Sequence, residues 1–329
     1  MKKNIAIVAG GDSSEDVISF QSAKQIHKWI DKELYNVYTI HVKGTEWKLY
    51  SEPHKGLKIN KDDFSITLND KKIKFDCALI AIHGTPGENG ILQAYFELLD
   101  IPYTTSGVLS SALSFNKFTC KTYLKNFHIL SAKTILLKKN EKIEPERIVD
   151  LLSPPYFVKP NQGGSSFGIS KINTPDKLIE AVNQAFKEDD EVLIEEFIDG
   201  IEITCGIVKV NDKEIIFPLT EIVSKNEFFD YEAKYTPGMA DEITPARISK
   251  KLAEKCRKLS SLIYNKLNCR GIVRIDYILN NNKFYFLEIN SVPGMTENSL
   301  VPKQMRVMGL SIKELFTQII ENAINQDRS

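Results

Sequence analysis

The sequence predicts an α/β protein of two or three domains. Its 329 residues are enough to form several hydrophobic cores. Ile5 to Ala9 is typical of a buried strand, ends at Gly10-Gly11, and is followed by apolar residues at helical spacing from near Ser13 or Ser14. Cys77 to Ile82 repeats the order of strand, glycine-rich loop and helix. Two such units are typical of an open α/β sheet in the first third of the chain.

Composition excludes several classes of function. Lys+Arg and Asp+Glu both number 43, so the net charge is zero and no long-range field attracts nucleic acid or an anionic membrane. No apolar run approaches the roughly 20 residues of a membrane span. The apolar start of the chain is interpreted as a first strand rather than a signal peptide. The five cysteines form no C-x-x-C pair and are expected to be core residues of a cytoplasmic protein.

The loops after the first two predicted strands carry candidate binding residues. Glu15 lies at a helix start, where backbone N–H groups can accept anions, although a carboxylate there also simply favours the helix dipole. A dinucleotide site is not predicted, because G-x-G-x-x-G is missing. His83 and Glu88 lie on a glycine-rich loop at the carboxyl end of a strand, where open α/β sheets bind ligands. A structural role for His83 is equally compatible with the sequence.

The middle of the chain predicts a loop that covers phosphate. A helix over 108–128 carries Lys117, and a strand over 156–159 ends at Lys159. The glycine- and serine-rich segment 160–168 that follows can wrap phosphate oxygens, although a plain hairpin turn is the alternative. It does not match a Walker A loop, so P-loop chemistry is excluded. A helix over 176–186 and a strand over 192–198 complete this part.

A hairpin near residue 280 provides the strongest chemical signal. Arg274 and Asp276 share a strand face, as do Glu288 and Asn290 on the next strand. A three-residue turn at 280–282 would pair Arg274 with Glu288 and place Asp276 diagonally from Glu288. Oxygen ligands on rigid strands suit Mg²⁺ bound to the phosphates of a nucleotide. The alternative is a solvated hairpin face with ordinary charge pairs.

The segment 221–247 has no periodicity, and so long a stretch inside a compact protein is usually a functional loop or lid. The remaining predicted elements are a hairpin of 201–210 and 214–220, and helices over 249–267 and 312–324.

Seven motifs, taken in order, resemble those of the D-alanine–D-alanine ligases of the ATP-grasp superfamily, and the resemblance extends from Lys3 to about Ile324. The motifs are Gly10-Gly-Asp-Ser-Ser-Glu15, His83-Gly-x-x-Gly-Glu88, Lys159-Pro160 with Gly164-Ser-Ser-x-Gly168, Glu195-x-Phe-Ile198, Tyr231-Glu-Ala-Lys-Tyr235, Gly271-x-x-Arg-Ile-Asp276, and Glu288-x-Asn-x-x-Pro-Gly-Met295 with Ser299-Leu300. The resemblance implies a three-domain ATP-grasp fold with an N-terminal parallel-sheet domain. Its implied domains are 1–106, 107–198 and 199–329, with a lid at 221–247.

The resemblance also implies roles for individual residues. The implied ATP-binding residues are Lys117, Lys159, Ser166, Glu195, Phe197, Ile198, Glu202 and Lys234. Two Mg²⁺ ions, with Mn²⁺ as an alternative, would be held by Asp276, Glu288 and Asn290. The implied catalytic residues are Glu15, Ser165, Tyr235, Arg274 and Gly294. Substrate-binding roles fall to His83, Ser299 and Leu300.

The implied activity is ATP-dependent joining of two D-alanines through an acyl phosphate, for peptidoglycan precursors and hence the cell wall. D-alanine and ATP would be its partners, with no nucleic acid or membrane, in a cytoplasmic homodimer. The closest rivals are a ligase that makes D-alanyl-D-lactate or joins another carboxylate and amine, and a nucleotide-sensing module without turnover. Tyr235 favours an amine as second nucleophile. Asp16, Val17 and Asn89 depart from the family pattern around the first substrate.

Overall fold

A computed structural model describes residues 2–13, 15–164, 168–224 and 239–325. Four residues that the sequence assigns to the site lie outside the described residues: Ser165, Ser166, Lys234 and Tyr235. The proposed helix start at Ser14 also lies outside them. No helix within the described ranges has the length and apolar character needed to cross a membrane.

The first third of the chain contains a mixed sheet, in which the expected parallel strands are joined by an antiparallel edge strand. Its elements are β1 (Lys3–Gly10), α1 (Asp16–Trp29), β2 (Tyr35–Lys43), β3 (Glu46–Leu49), β4 (Ser65–Leu68), β5 (Lys71–Lys74), β6 (Cys77–Ile80) and α2 (Ile91–Leu98). The strand order is β3-β2-β1-β6; β1 pairs in parallel with β2 and with β6, and the edge strand β3 pairs antiparallel with β2. The carboxyl ends of β1 and β6 therefore meet at one edge, where the loops that contain Glu15 and His83 begin.

The middle of the chain forms an antiparallel sheet with strand order β7-β10-β8-β9. Its elements are α3 (Val108–Phe115), α4 (Lys117–Lys125), β7 (Thr134–Lys138), α5 (Pro145–Leu151), β8 (Tyr156–Pro160), β9 (Ser170–Ile172), a 3₁₀ turn (Pro175–Lys177), α6 (Leu178–Ala185) and β10 (Glu191–Glu196).

The prediction of one helix over 108–128 is wrong. Asn116 has an extended backbone, with φ −86° and ψ 101°, and its side chain accepts a hydrogen bond from the Thr119 N–H. Asparagine is favoured in this N-cap role, so it ends α3 and starts α4 at Lys117. Lys117 is consequently the first residue of a helix rather than part of a helix interior.

The last third forms a second antiparallel sheet, ordered β14-β13-β11-β15-β16 with β12 paired to β11. Its elements are β11 (Ile201–Val210), β12 (Lys213–Ile216), β13 (Thr220–Ser224), β14 (Ala240–Ile243), α7 (Lys250–Lys266), β15 (Gly271–Asn280), β16 (Lys283–Asn290), α8 (Leu300–Val307) and α9 (Ile312–Asn325).

The prediction that 221–247 lacks regular structure is wrong at both ends of the segment. β13 and β14 pair antiparallel, and β13 extends the sheet from β11. β14 has the polar sequence Ala-Asp-Glu-Ile, so its strand comes from pairing with β13 and not from an apolar pattern.

The turn between β15 and β16 also differs from the prediction. Asn280 pairs with Lys283, so the turn has two residues, Asn281 and Asn282, with φ values of 46° and 60°. Positive φ at both positions is what a type I′ hairpin turn requires. A β-bulge at Leu287, between the pairs Tyr277–Phe286 and Asp276–Glu288, then shifts the register.

As a result, Asp276 lies opposite Glu288, and Arg274 lies opposite Asn290. The predicted pairing of Arg274 with Glu288 is wrong. The prediction that all four side chains share one face of the hairpin is nevertheless confirmed, because directly opposed residues lie on the same face.

The two faces of the last sheet have opposite character. Ile203, Ile207 and Ile275 face an apolar core that also includes Cys256 and Ile263 of α7. All five cysteines are buried and free, which confirms their prediction as core residues. Arg274 and its neighbours occupy the other face.

The final helix joins the first and last sheets. Phe316 and Ile320 of α9 share one core with Ile5 and Ile7 of β1, and with Val208 of β11. Polar contacts support this docking: Lys3 Nζ lies 2.6 Å from Glu321 Oε2, Tyr35 donates to Glu321 Oε1 at 2.7 Å, and Lys313 Nζ lies 2.8 Å from Asp31 Oδ2. Elements far apart in sequence are thereby held across a common cleft.

The turn geometry leads to a stability prediction. Asn282→Val should lower the free energy of unfolding by about 1–2 kcal/mol, because a β-branched residue is strained at positive φ. Asn282→Gly should stay within about 0.5 kcal/mol of the wild type. Denaturant unfolding would measure both, with Lys283→Val, on the exposed strand position next to the turn, as the matched control. Equal losses for valine at 282 and 283 would contradict the turn.

Candidate active site

A cleft opens where the three sheets meet. Two adjoining cavities of about 600 Å³ and 470 Å³ form it. They share six lining residues: Glu15, Phe115, Lys117, Gly163, Gly164 and Glu288. Each of the three sheet regions therefore contributes to one continuous site, which is large enough for a nucleotide and a small substrate.

The hairpin face forms one wall of this cleft. Arg274 donates from Nε to Asp276 Oδ1 at 2.9 Å and from Nη2 to Oδ2 at 2.8 Å. Asn290 Nδ2 donates to the same Oδ2 at 3.0 Å. Burial opposes the charge of Arg274, but the adjacent Asp276 carboxylate outweighs burial, so the pKa of Arg274 is raised. Arg274 is therefore a permanent, fixed cation at the cleft wall.

The donors on this face fit a magnesium–nucleotide complex. Asp276 and Glu288 are cross-strand neighbours, and Asn290 adds an amide oxygen on the same face. The described residues contain no cluster of three or more His, Cys, Asp or Glu side chains arranged to hold a metal alone. Two carboxylates and an amide suit Mg²⁺, which takes its other oxygens from phosphates and water.

Opposite this face lie two lysines of the middle third of the chain, Lys117 at the start of α4 and Lys159 on β8. Lys117 Nζ donates to the carbonyl of Gly163 at 2.7 Å and lies 3.7 Å from Glu288 Oε2. Its backbone N–H donates to the carbonyl of Asn161, and the Asn161 side chain accepts from the Phe118 N–H at 2.8 Å. Asn161 follows β8 directly, so it ties the start of α4 to the strand that carries Lys159.

Glu195 is buried and pairs with Lys159, rather than standing alone at the edge of the site. Its carboxylate contacts Lys159 Nζ at 2.8 Å, contacts Lys121 Nζ, and accepts from Thr134 Oγ1 at 3.0 Å. Burial alone would raise the pKa of Glu195, but the charges of Lys121 and Lys159 lower it to about 2. Lys121 was not predicted as a site residue. Its spacing of one helical turn from Lys117 was the only signal in the sequence.

The other predicted nucleotide residues lie just after β10 and at the start of β11. Phe197 stacks on Phe157, with ring centroids 5.8 Å apart, and Lys171 Nζ lies 4.2 Å from the centroid of the Phe197 ring. Ile198 follows directly and is half-buried. Glu202 of β11 is near enough for its charge to help raise the pKa of Arg274.

The loop after β16 is held by side chains from the first third of the chain. His83 Nδ1 lies 2.7 Å from the carbonyl of Val292. Glu88 accepts from the Val292 N–H at 3.1 Å and from the Gly84 N–H at 2.8 Å. Burial lowers the pKa of His83 and raises that of Glu88 to about 7. His83 is therefore a neutral imidazole that donates from Nδ1 to a backbone carbonyl.

The same loop brings the predicted Gly294 beside Ser299. Ser22 Oγ accepts from the Met295 N–H at 3.1 Å, which fixes the loop from the side of α1. A Cβ on Gly294 would lie 3.1 Å from Ser299 Oγ, so this close approach suits glycine. Ser299 and Leu300 stand at the start of α8 and line the cleft. Ser22 was not predicted from the sequence.

Glu15 lies between two loops at the mouth of the cleft. A Cβ on Gly164 would lie 2.9 Å from Glu15 Oε2, and a Cβ on Gly84 would lie 3.7 Å from it. The carboxylate thus faces the glycine-rich segment that leads to the predicted Ser165. Asp16, which departs from the family pattern, points to Lys43 at 3.5 Å instead.

Two antiparallel sheets enclose a cleft that has two lysines on one side and a carboxylate face on the other. This arrangement defines an ATP-grasp ligase, as the sequence predicts. Family models support this class: "D-ala D-ala ligase N-terminus" matches residues 4–106 and "D-ala D-ala ligase C-terminus" matches 123–321. The chain belongs to the D-alanine–D-alanine ligase family. It is 52% identical over 323 residues to the D-alanine--D-alanine ligase of Phocaeicola vulgatus, a match that covers 98% of this chain and 99% of that protein.

Solved structures agree over the whole fold. The D-alanyl-alanine synthetase A of Vibrio cholerae matches with a TM-score of 0.89 and 27% identity, and the match covers 99% of each chain. The VanG D-Ala:D-Ser ligase of Enterococcus faecalis matches with a TM-score of 0.87 and 30% identity, over 98% of this chain and 100% of that chain. The predicted ATP-grasp architecture is therefore confirmed.

The hairpin face leads to a metal-binding prediction. Glu288→Gln removes one charge without changing shape, so Mn²⁺ binding in the presence of ATP should weaken and turnover should fall roughly 10²–10³-fold. Electron paramagnetic resonance of free Mn²⁺ measures the binding directly. Glu242→Gln, a change in another carboxylate that lines the cleft, serves as the control and should leave Mn²⁺ binding unchanged. Equal Mn²⁺ affinity for wild type and Glu288→Gln would contradict the assignment.

Glu88 leads to a pH prediction. The pKa of Glu88 is raised to about 7 in the folded state. Protonation of Glu88 therefore stabilises the fold fully below about pH 4.5, and this stabilisation is lost as pH rises through 7. Between pH 5 and 8 the wild type should lose about 1–3 kcal/mol of unfolding free energy relative to Glu88→Gln. Glutamine cannot make one of the hydrogen bonds of Glu88. This loss shifts the unfolding free energy of Glu88→Gln by the same amount at every pH.

Denaturant unfolding at several pH values would measure this difference. Glu146→Gln, in the exposed part of α5, should follow the wild type at every pH. A constant difference between Glu88→Gln and the wild type from pH 5 to 8 would show that Glu88 has an ordinary pKa.

Proposed function

We propose that this chain uses ATP to join two D-alanine molecules into D-alanyl-D-alanine through an acyl phosphate. The observation that carries the proposal is the convergence of Lys117 and Lys159 with Glu288 on one cleft, where Asp276 lies directly opposite Glu288 on the same hairpin face. The activity named for the relative at 52% identity supports it. The VanG relative shows that the same fold also serves a protein named for D-serine.

The first step is attack of the first D-alanine's carboxylate oxygen on the γ-phosphorus of ATP. A P–O bond forms, the bond to the β–γ bridging oxygen breaks, and ADP leaves. Phosphoryl transfer depends on positioning and charge neutralisation. Lys117, at the start of α4, and Lys159, on β8, would bind the phosphate oxygens. Mg²⁺ held by Asp276, Glu288 and Asn290 would supply further charge neutralisation when bound.

The second step is attack of the second D-alanine's amine on the acyl phosphate. The C–N bond forms, the amine loses a proton, and phosphate leaves with the oxygen that it gained. Negative charge develops on the former carbonyl oxygen, where a fixed cation and an N–H group are most effective. Arg274 is anchored by Asp276, and the Gly294 N–H lies in a loop held by His83, Glu88 and Ser22.

The remaining assignments are part of the same proposal. Glu15 would bind the first substrate's ammonium group, His83 would lie near its carboxylate, and Ser299 with Leu300 would position the second D-alanine. Glu195 to Ile198 would border the adenine and Glu202 would bind the ribose. Ser165, Ser166, Lys234 and Tyr235 keep their proposed roles, although they lie outside the described residues.

The biological setting is also proposed. The domain limits 1–106, 107–198 and 199–329 agree with the placement of the three main sheets. We place the enzyme in the cytoplasm as a homodimer that supplies peptidoglycan precursors, with D-alanine and ATP as its partners and with no nucleic acid or membrane.

Competition between nucleophiles tests the proposal. With D-alanine, D-serine and D-lactate present together at neutral pH, the main product should be D-alanyl-D-alanine, with one ADP and one phosphate released per dipeptide. Mass spectrometry would identify the products, and a coupled assay would count ADP. A preference for D-lactate would support the depsipeptide alternative. ATP binding without D-alanine-dependent turnover would instead support a nucleotide sensor.

A further inference from the structure

Lys121, Lys159 and Glu195 form a buried cluster of unusual charge. The two lysines are 5% exposed and the glutamate is 3% exposed. Buried charges are normally paired, because an uncompensated ion in the interior is costly. One carboxylate between two ammonium groups leaves a net charge of +1 in the cluster. An apolar residue in place of one lysine would avoid the cost of this excess positive charge. The excess charge therefore points to a role elsewhere in the molecule.

The two lysines differ in what they can reach. Lys159 is among the described residues that line the cleft, whereas Lys121 is not. Lys159 Nζ contacts Glu195 Oε2, whereas Lys121 Nζ contacts Oε1 on the far side of the same carboxylate. Lys121 therefore contacts the cleft indirectly, through Glu195, which also holds Lys159.

The position of Lys121 is fixed by its helix. Asn116 caps α4, and Asn161 binds the Phe118 N–H at 2.8 Å. Asn161 Nδ2 in turn donates to Glu191 Oε2 at 2.7 Å. These bonds tie the start of α4 to the end of β8 and the start of β10, the two strands that carry Lys159 and Glu195. Lys121 is thereby held beside Glu195 in a rigid arrangement.

Electrostatics shows what the second lysine changes. A single Glu195–Lys159 pair would be neutral, so a phosphate in the cleft would experience only the field of a dipole. With Lys121 paired to the other carboxylate oxygen, the cluster keeps one full positive charge on its cleft side. In a poorly screened interior this difference is large.

We propose that Lys121 is a positioning residue for nucleotide binding: it compensates Glu195, so that Lys159 presents an uncancelled positive charge to the phosphates. The inference rests on the proposed function, because it assigns the ligand of Lys159 as a nucleotide phosphate. It adds to that function a residue with no direct contact to the cleft.

The test separates phosphate binding from adenine binding. Isothermal titration calorimetry in EDTA at pH 7.5 measures the affinity for ADP and the affinity for adenosine. In the ratio of these two affinities, the contributions from the adenine pocket cancel. Lys121→Met keeps the chain length and removes the charge. It should lower the ADP-to-adenosine affinity ratio at least about tenfold. Lys125→Met, one turn later on the exposed side of α4, should leave the ratio unchanged.

A double variant tests the charge argument itself. Lys121→Met with Glu195→Gln removes one charge of each sign, so Lys159 again carries the net +1 and the ratio should return to within about threefold of the wild type. This variant also decides the matter if Lys121→Met alone does not fold, because it also removes the negative charge that Lys121 compensates at Glu195 Oε1.

Two outcomes would overturn the inference: an unchanged ratio in Lys121→Met, or a ratio in the double variant that is reduced tenfold. Equal losses of ADP and adenosine affinity also leave the ratio unchanged and would indicate a purely structural role. A wild type that binds neither ADP nor adenosine, even after excess Mg²⁺ replaces the EDTA, would contradict the proposed function itself, and the two failures are therefore distinguishable.

Discussion

The register of the β15–β16 hairpin is the constraint on which the site depends. Side chains alternate between the two faces of a strand, so a shift of one residue moves every side chain to the opposite face. The two-residue turn alone would place Glu288 on the face that packs against α7, where a carboxylate would enter an apolar core. The bulge at Leu287 restores Glu288 to the face of Asp276. One extra residue thus allows a tight turn and still keeps the proposed metal ligands on one face of the hairpin.

The rest of the cleft is assembled from distant parts of the chain. The shared core of α9 and β1 holds the last sheet against the first. His83, Glu88 and Ser22 then bind the loop that carries Gly294. The first third of the chain therefore shapes the proposed oxyanion site as well as the first substrate's pocket, so changes there are expected to affect catalysis and not binding alone.

Much of this arrangement is encoded in local sequence. Alternation placed Arg274 and Asp276 on one face, and the motifs identified the family and its fold. The break at Asn116 was missed because apolar periodicity continues across it, while a side-chain cap decides the outcome. Three consecutive asparagines fit a turn of two or three residues equally well, so the register could not be derived from local preference.

The contacts that were missed depend on tertiary structure. Ser22 and Lys121 lie in ordinary amphipathic helices, and their roles arise from partners 273 and 74 residues away, Met295 and Glu195. The strand β14 forms only because β13 is available to pair with it. Apart from the spacing of Lys121 from Lys117, no local pattern distinguishes these residues from their neighbours.

The central claim is that the first D-alanine is activated as an acyl phosphate in this cleft, and the fate of its carboxylate oxygen tests it most directly. D-alanine labelled with ¹⁸O in both carboxylate oxygens would be incubated with the enzyme, ATP and Mg²⁺, and the released phosphate analysed by mass spectrometry. The account predicts one ¹⁸O atom in each phosphate released per dipeptide. Dipeptide formation with unlabelled phosphate would contradict it.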